Sequence, residues 1–367
     1  MKERRVLLIG PFPPVIGGDT VSTLRLFRSR YWRACNIKVV RINTSAGDRI
    51  RLPDERLSVR DLSRAVRILS NAMVRIPRFD AVLLWANSRF VCTVGLVIIV
   101  VSAFCRKPVI VKLFGTSLVE RIHRFRRLWQ KLAVYVMRAP RCILPQTKAF
   151  TDWLVKDLRL SPSQVRCFPN FIPDEAFHEQ YAKKRFSGNC VFVGQVKKEK
   201  GVFDIIGAFK GRDELRCDFY GGIVNRDRDS FLAEIAESEN LCYRGVVAPE
   251  EVCDVMGRYD ALLLPTYHGG EGYPSVILEA FAAGVPVVTT RWRSIPDIVE
   301  NDVRGILVPI KSPEKILSAL ERLASDQGLY DRIVANAFTF VRSYSEREVV
   351  RNKLIPWIEE IWAEDTR

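Results

Sequence analysis

The chain has 367 residues, 48% of them apolar and 27% charged, and a net charge of +15. This composition fits a folded soluble protein and excludes disordered, collagen-like and low-complexity classes. The length exceeds one typical hydrophobic core, so two domains are expected.

The charge is uneven. Through Gln180 there are 32 Lys+Arg against 13 Asp+Glu, and from Tyr181 onward 25 against 29, balances of +19 and −4. A basic first half fits an anionic membrane, an anionic substrate or nucleic acid. Nine cysteines are dispersed, the closest pair being Cys242 and Cys253. Without a CxxC spacing, neither a zinc site nor a redox pair is indicated, and reduced thiols in a cytosolic setting are expected.

The elements follow in order. RVLLIG (5–10) reads as a strand leading into a Gly-Pro loop, not as a signal peptide. A helical pattern (19–32), a strand (37–43) and an Arg-rich stretch with helical character to about Val74 come next. Strands are predicted at 79–86 and 108–115. Between them lies the uncharged segment Phe90–Cys105. As a helix it is about 24 Å long against a ~30 Å hydrocarbon core, so a buried helix is the preferred reading. One long basic helix (117–139), a strand (141–146) and a helix (147–158) complete the first half.

Pro169, Asn170 and Pro173 mark a linker. Strands are then expected at 190–196, 215–222, 241–246, 261–266 and 284–290, separated by helical patterns, with two further helices closing the chain. Strand–helix alternation of this kind implies two doubly wound parallel sheets, with ligands at the carboxyl ends of strands and a cleft between domains.

The segment Tyr267–Val288, YHGGEGYPSVILEAFAAGVPVV, carries chemistry. A buried strand feeds a glycine loop, and a helix is expected to begin near Pro274. Backbone N–H groups at Gly272, Tyr273 and Ser275, with the helix dipole, form an anion site suited to a diphosphate. Glu271 stands in the loop. Glu279 lies in the second helical turn, where a carboxylate suits a pair of ribose hydroxyls.

The sequence E-GYPSVIL-E, with AFAAGVPVVTTRWRSIPDIVENDVRGILV after it, resembles the E-x7-E signature of retaining GT-B glycosyltransferases, most like glycosyltransferase family 4. The resemblance covers most of the C-terminal half. VFVGQVKKEKGVFDIIGAF is similar to the family's F-V-G-R-x4-K-G stretch. Lys200 takes the place of the Lys that holds the donor diphosphate. Gln195 stands where the family has Arg, with Lys197 or Lys198 as a substitute charge. CFPNFIP places Asn170 at the hinge, and GPFPPVIGGDTVSTL resembles the N-terminal glycine loop, with Gly17 and Gly18 approaching the donor. Phe114 occupies the position of a family His near the donor sugar, and His268 is the candidate to replace it. Base contacts are implied near Arg244–Val247, including the backbone of Val246.

The resemblance implies two Rossmann-like domains facing across a cleft. Residues 1–170 form the acceptor domain, with 346–367 packing back on it, and 171–345 form the nucleotide-sugar donor domain. It implies hexosyl transfer from a UDP- or GDP-sugar with retention, without cofactor or metal. Glu271 is then the catalytic carboxylate at the donor sugar, and Glu279 grips the ribose.

The segment 119–138 reads as a basic amphipathic helix, with Arg121, Arg124, Arg126, Arg127, Lys131 and Arg138 against Glu120. It suggests contact with an anionic membrane surface, and so a peripheral location on the inner face of the cytoplasmic membrane and a glycan or lipid-linked acceptor in polysaccharide assembly. The alternatives are a GT-B nucleotide-sugar epimerase and a basic nucleic-acid binder. No stacking motif or known nucleic-acid module favours the latter, so no nucleic-acid partner is expected.

Overall fold

A computed structural model describes residues 3–14, 16–45, 59–115, 118, 122, 126–177 and 185–365. The chain divides into two compact units, Met1–Asn170 with Glu346–Arg367, and Phe171–Ser345.

The first unit is built on strands β1 (Arg4–Gly10), β2 (Ile37–Asn43), β3 (Ala81–Asn87), β4 (Val109–Phe114) and β5 (Cys142–Leu144). All neighbours pair in parallel, in the order β2-β1-β3-β4-β5. The central strands are continuous apolar runs because helices cover both faces. Val6 to Ile9 and Val82 to Leu84 are fully buried. The covering helices include α1 (Gly18–Arg28), α2 (Val59–Arg75), α3 (Leu96–Phe104), α4 (Arg127–Val136) and α5 (Lys148–Lys156). The uncharged segment enters α3 through a short turn at Ser88–Phe90 and a π-helical turn at Val91–Gly95. Val91, Ile98, Ile99 and Ser102 face the core, while Val97, Val100 and Phe104 remain exposed. It is therefore a one-sided sheet cover, not a helix buried all round. No helix among the described residues is long and apolar enough to cross a membrane.

The long basic helix expected over 117–139 does not run unbroken. Arg126 caps α4 with ψ 146°, outside the helical region, so the helix starts afresh at Arg127. Leu118 and Ile122 are buried in the first core, whereas Trp129 and Leu132 point outward. Residues 119–121 and 123–125, including Glu120, Arg121 and Arg124, lie outside the described residues.

In the second unit, β6 (Asn189–Val193), β7 (Arg216–Tyr220), β8 (Leu241–Gly245), β9 (Ala261–Leu264), β10 (Val287–Thr290) and β11 (Ile306–Val308) form one parallel sheet, ordered β11-β10-β9-β6-β7-β8. Counted within the unit from β8, this is the strand order 3-2-1-4-5-6 of dinucleotide-binding folds, which reverses direction between β6 and β9. Helices α6 (Val202–Phe209), α7 (Arg228–Ala236), α8 (Val252–Met256), α9 (Ser275–Ala282), α10 (Pro313–Ser325) and α11 (Gln327–Val341) wrap it. Sequence patterning did not separate β11 or α11. The three residues of β11 are too few for a period to show. The apolar stripe of α11 runs on from that of α10, with only Asp326 between them to cap the second helix. The last helix, α12 (Ile355–Asp365), belongs to the first unit, where Trp362 Nε1 donates to the Asp80 carbonyl at 3.1 Å.

Candidate functional site

The strand-order reversal puts two loops side by side in the second unit, Gly194–Gly201 after β6 and Pro265–Pro274 after β9. Both strands stop earlier than their apolar runs suggest, at Val193 and Leu264 rather than 196 and 266. Residues that read as strand thus become site. The two loops are stitched together. Tyr267 N–H donates to the Glu199 carbonyl at 2.8 Å, and the Thr266 hydroxyl lies 3.2 Å from the same oxygen.

Gly201 makes this approach possible. It adopts φ +77°, closes the 3-10 turn Lys198–Lys200 and caps α6. A Cβ there would lie 2.3 Å from the Pro265 carbonyl oxygen, so both the conformation and the space require glycine.

Lys200 and Glu271 meet across the loops. Lys200 Nζ stands 2.6 Å from Glu271 Oε2, with side chains only 15% and 8% exposed. The Thr266 hydroxyl lies 2.8 Å from the same carboxylate oxygen. Burial alone would raise the Glu271 pKa. The charge and hydrogen bond of Lys200, with that of Thr266, outweigh it and hold the carboxyl below its ordinary value.

His268 is half-buried, 3.5 Å from Lys197 Nζ through its Nδ1. Its carbonyl accepts from Trp292 Nε1 at 2.9 Å. Burial, then the charges of Lys197 and Lys200, push the imidazole down to about 4, so it is neutral near pH 7. Lys197 is itself buried, and desolvation followed by Lys200 lowers it to about 8. Lys198 is exposed, and its backbone N–H donates to Asp227. The second cation at this site is therefore Lys197. The sequence offered Lys197 and Lys198 equally, because their burial depends on the turn that Gly201 closes. Gln195 is half-buried in the β6 loop.

Helix α9 begins at Ser275, with Pro274 as its N-cap rather than inside the first turn as expected. No side chain caps it, so its leading N–H groups carry the dipole's partial positive charge without an internal carboxylate or hydroxyl. Gly272 is buried, and its carbonyl accepts from the Ser294 hydroxyl at 2.5 Å. Tyr273 stacks on Tyr344, with centroids 5.8 Å apart, in the second core. The Tyr273 ring is thus part of the core packing. Glu279, the fifth residue of α9, is 6% exposed although the helix around it is apolar. Val246 follows β8 and is 55% exposed. Gly17 and Gly18 belong to the first unit. Gly17 has φ −154°, extended backbone open to any residue, and Gly18 opens α1, so neither is required by conformation. Among the described residues no cluster of three His, Cys, Asp or Glu could hold a metal ion.

Residues 174–340, nearly the whole second unit, match the family described as Glycosyl transferases group 1. Among similar proteins, the capsular polysaccharide biosynthesis glycosyltransferase CapM of Staphylococcus aureus is 28% identical over 199 residues, 51% of this chain and 50% of that one. The alpha-galactosylglucosyldiacylglycerol synthase of Streptococcus pneumoniae is 26% identical over 204 residues, 51% of this chain and 53% of that one. The match spans about half the length of these curated relatives, and less in others, 38% and 36%. Among solved structures, HepE of Anabaena in complex with UDP-glucose superposes with a TM-score of 0.69 at 13% identity, covering 98% of this chain and 99% of that one. The two parallel-sheet units are those of the GT-B fold.

Proposed function

We propose that the protein is a retaining glycosyltransferase of family 4 type that moves a hexosyl group from a nucleoside-diphosphate sugar to a glycan or lipid-linked acceptor of a surface polysaccharide. The observation that carries the reading is the pairing of Lys200 with Glu271 at the strand-order reversal of the second unit, beside the uncapped start of α9. Such a crevice is where nucleotides bind in open parallel sheets. Lys200, Lys197 and the backbone N–H groups of Gly272, Tyr273 and Ser275 at the start of α9 receive the diphosphate. Glu271, ionised and aimed by Lys200 and Thr266, takes the donor-sugar hydroxyls and favours positive charge at the anomeric carbon. On this reading, neutral His268 exchanges a hydrogen bond with the sugar. Glu279 grips the ribose, and Val246 lies by the base.

As Lys200 turns toward phosphate it releases part of its hold on Glu271, so donor binding frees the carboxylate for the sugar. The leaving phosphate oxygen then accepts the acceptor's proton on the same face, which retains configuration. Lysines and amides neutralise the diphosphate, so the reading needs no metal. HepE was crystallised with UDP-glucose, which favours a uridine nucleotide for this chain over a guanosine one.

Membrane contact belongs to the same reading. On α4, Leu128, Trp129, Leu132 and Tyr135 are 77%, 58%, 44% and 73% exposed beside Arg126, Arg127 and Lys131. A basic helix with an exposed apolar face suits a peripheral position on an anionic bilayer.

The test is titration of UDP and GDP, followed by donor turnover, in Glu271→Ala and Glu279→Ala. Nucleotide affinity falls in the Glu279 variant, and turnover falls in the Glu271 variant with affinity kept. A chain indifferent to both nucleotides that binds RNA tightly sinks the reading.

A further inference from the structure

We propose that a pocket in the first unit, between β2 and α2, binds the phosphate or diphosphate head of a lipid-linked acceptor. The inference rests on the glycosyltransferase reading only for the word acceptor.

The pocket has a volume of about 240 Å³, far more than a water needs. Arg41 and Asn43 come from β2, and their i, i+2 spacing puts them on one face of the strand. Arg67, Asn71 and Arg75 come from α2, and their i, i+4, i+8 spacing makes one row along the helix. Buried Ile42 and Ile68 line it between the two elements. Three arginines and two asparagines thus line it, with no acid among the described lining residues. Among the described residues no carboxylate pairs with Arg41, Arg67 or Arg75, while Asp61 on the same helix is taken by Arg64 at 3.4 Å. Arg41 is held by stacking over Phe12 and Phe27, 5.2 and 5.3 Å from their ring centroids.

Like charges gathered this way repel unless an anion joins them, and the forked guanidinium matches phosphate oxygens two at a time. The pocket also stands at the carboxyl end of the sheet. Asn43 Oδ1 accepts the Phe12 N–H at 3.2 Å, tying the end of β2 to the loop that leaves β1. Ligands bind at this end of a parallel sheet.

The same helix indicates a lipid rather than a soluble phosphate. Val59, Leu62, Val66 and Met73 are 84%, 67%, 58% and 47% exposed at i, i+3, i+7 and i+14, a stripe running beside the arginine row. Exposed apolar surface next to a phosphate-sized basic pocket complements an acyl or prenyl chain with a charged head.

The experiment measures binding of farnesyl diphosphate, farnesol and inorganic pyrophosphate to the full chain in zwitterionic micelles. Arg67→Gln/Arg75→Gln is compared with wild type, Arg60→Gln serves as a surface control, and Lys200→Met reports binding in the second unit. Wild type binds farnesyl diphosphate at least about tenfold more tightly than farnesol, and the double Gln variant loses about tenfold or more. Arg67→Lys/Arg75→Lys, which keeps charge and fold but not the fork, falls between them. Equal affinity in wild type and the double Gln variant, or loss in Lys200→Met alone, overturns the pocket. Pyrophosphate matching farnesyl diphosphate in affinity overturns the lipid assignment. Failure of nucleotide binding in the second unit would count against the glycosyltransferase reading and leaves these outcomes readable.

Discussion

Removing the Lys200 ammonium should destabilise the second unit far more than removing the whole Lys200–Glu271 pair. At 2.6 Å, and with an effective dielectric of ~20, the gross attraction is on the order of 6 kcal/mol. Most of it offsets the cost of taking both groups out of water. Lys200→Met leaves the Glu271 carboxyl, 6% exposed, without its counter-ion and with Thr266 as its remaining hydrogen-bond partner. Orphaning one member of a buried pair costs about 3 kcal/mol or more, whereas replacing both by neutral groups is often close to neutral. Lys200→Met/Glu271→Gln should therefore recover most of the loss.

The assay is a double-mutant cycle in urea, with thermal unfolding alongside. For a unit of this size, 3 kcal/mol corresponds to a midpoint shift of roughly 6–12 °C. The pH dependence gives a second check. The Glu271 pKa is held below its ordinary value in the fold, so the pair's contribution is fully present above the unfolded carboxyl pKa. It is lost as pH falls through the folded one. Lys200→Met should remove that acid sensitivity. A cycle that is additive within about 0.5 kcal/mol would refute the pairing as an energetic unit.

Lys197, with a pKa near 8, should make diphosphate affinity fall as pH rises through 8, and Lys197→Arg should abolish that break. Isothermal titration at pH 7 and 9 reads the difference, and a flat wild-type profile contradicts it. Gly201→Ala forces a Cβ against the Pro265 carbonyl and should cost about 2 kcal/mol or more while weakening UDP binding, as read by thermal shift. An unchanged midpoint would mean the loop crossing is looser than the geometry states. Replacing Arg121, Arg124, Arg126 and Arg127 with Gln should release the protein from anionic vesicles in a flotation assay, and unchanged flotation removes the membrane reading.

Much of the fold was legible because parallel strands buried on both faces write themselves as apolar runs, as in Val6–Ile9 and Ala261–Leu264. Strand order was not legible. Nothing in the spacing of β6 and β9 says that they are neighbours with β7 and β8 on the far side, yet that adjacency brings Lys200 to Glu271. The ends of elements were equally hidden. Apolar character continues through Val196 and Pro265 after the strands have stopped, and Arg126 breaks a helix whose apolar spacing runs straight across it. The arginine pocket was invisible for a related reason. Its two rows lie 24 residues apart in sequence, between Asn43 and Arg67, and only the packing of α2 beside β2 joins them.

The departure at Gln195 looks different once burial is considered. An Arg carries its charge at any depth, because its pKa is too high to be lost by desolvation. A buried Lys supplies the same charge only below its lowered pKa. Lys197, desolvated and lowered to about 8, is a cation of that conditional kind. On the glycosyltransferase reading, a bound diphosphate would raise that pKa and hold the charge above pH 8 as well. Having buried Lys197 rather than an Arg at 195 thus trades a permanent charge for one that is present near pH 7 and lost as pH rises through about 8. The neutral imidazole of His268 fits the same arrangement, because a protonated ring 3.5 Å from Lys197 would oppose the ammonium when the diphosphate arrives.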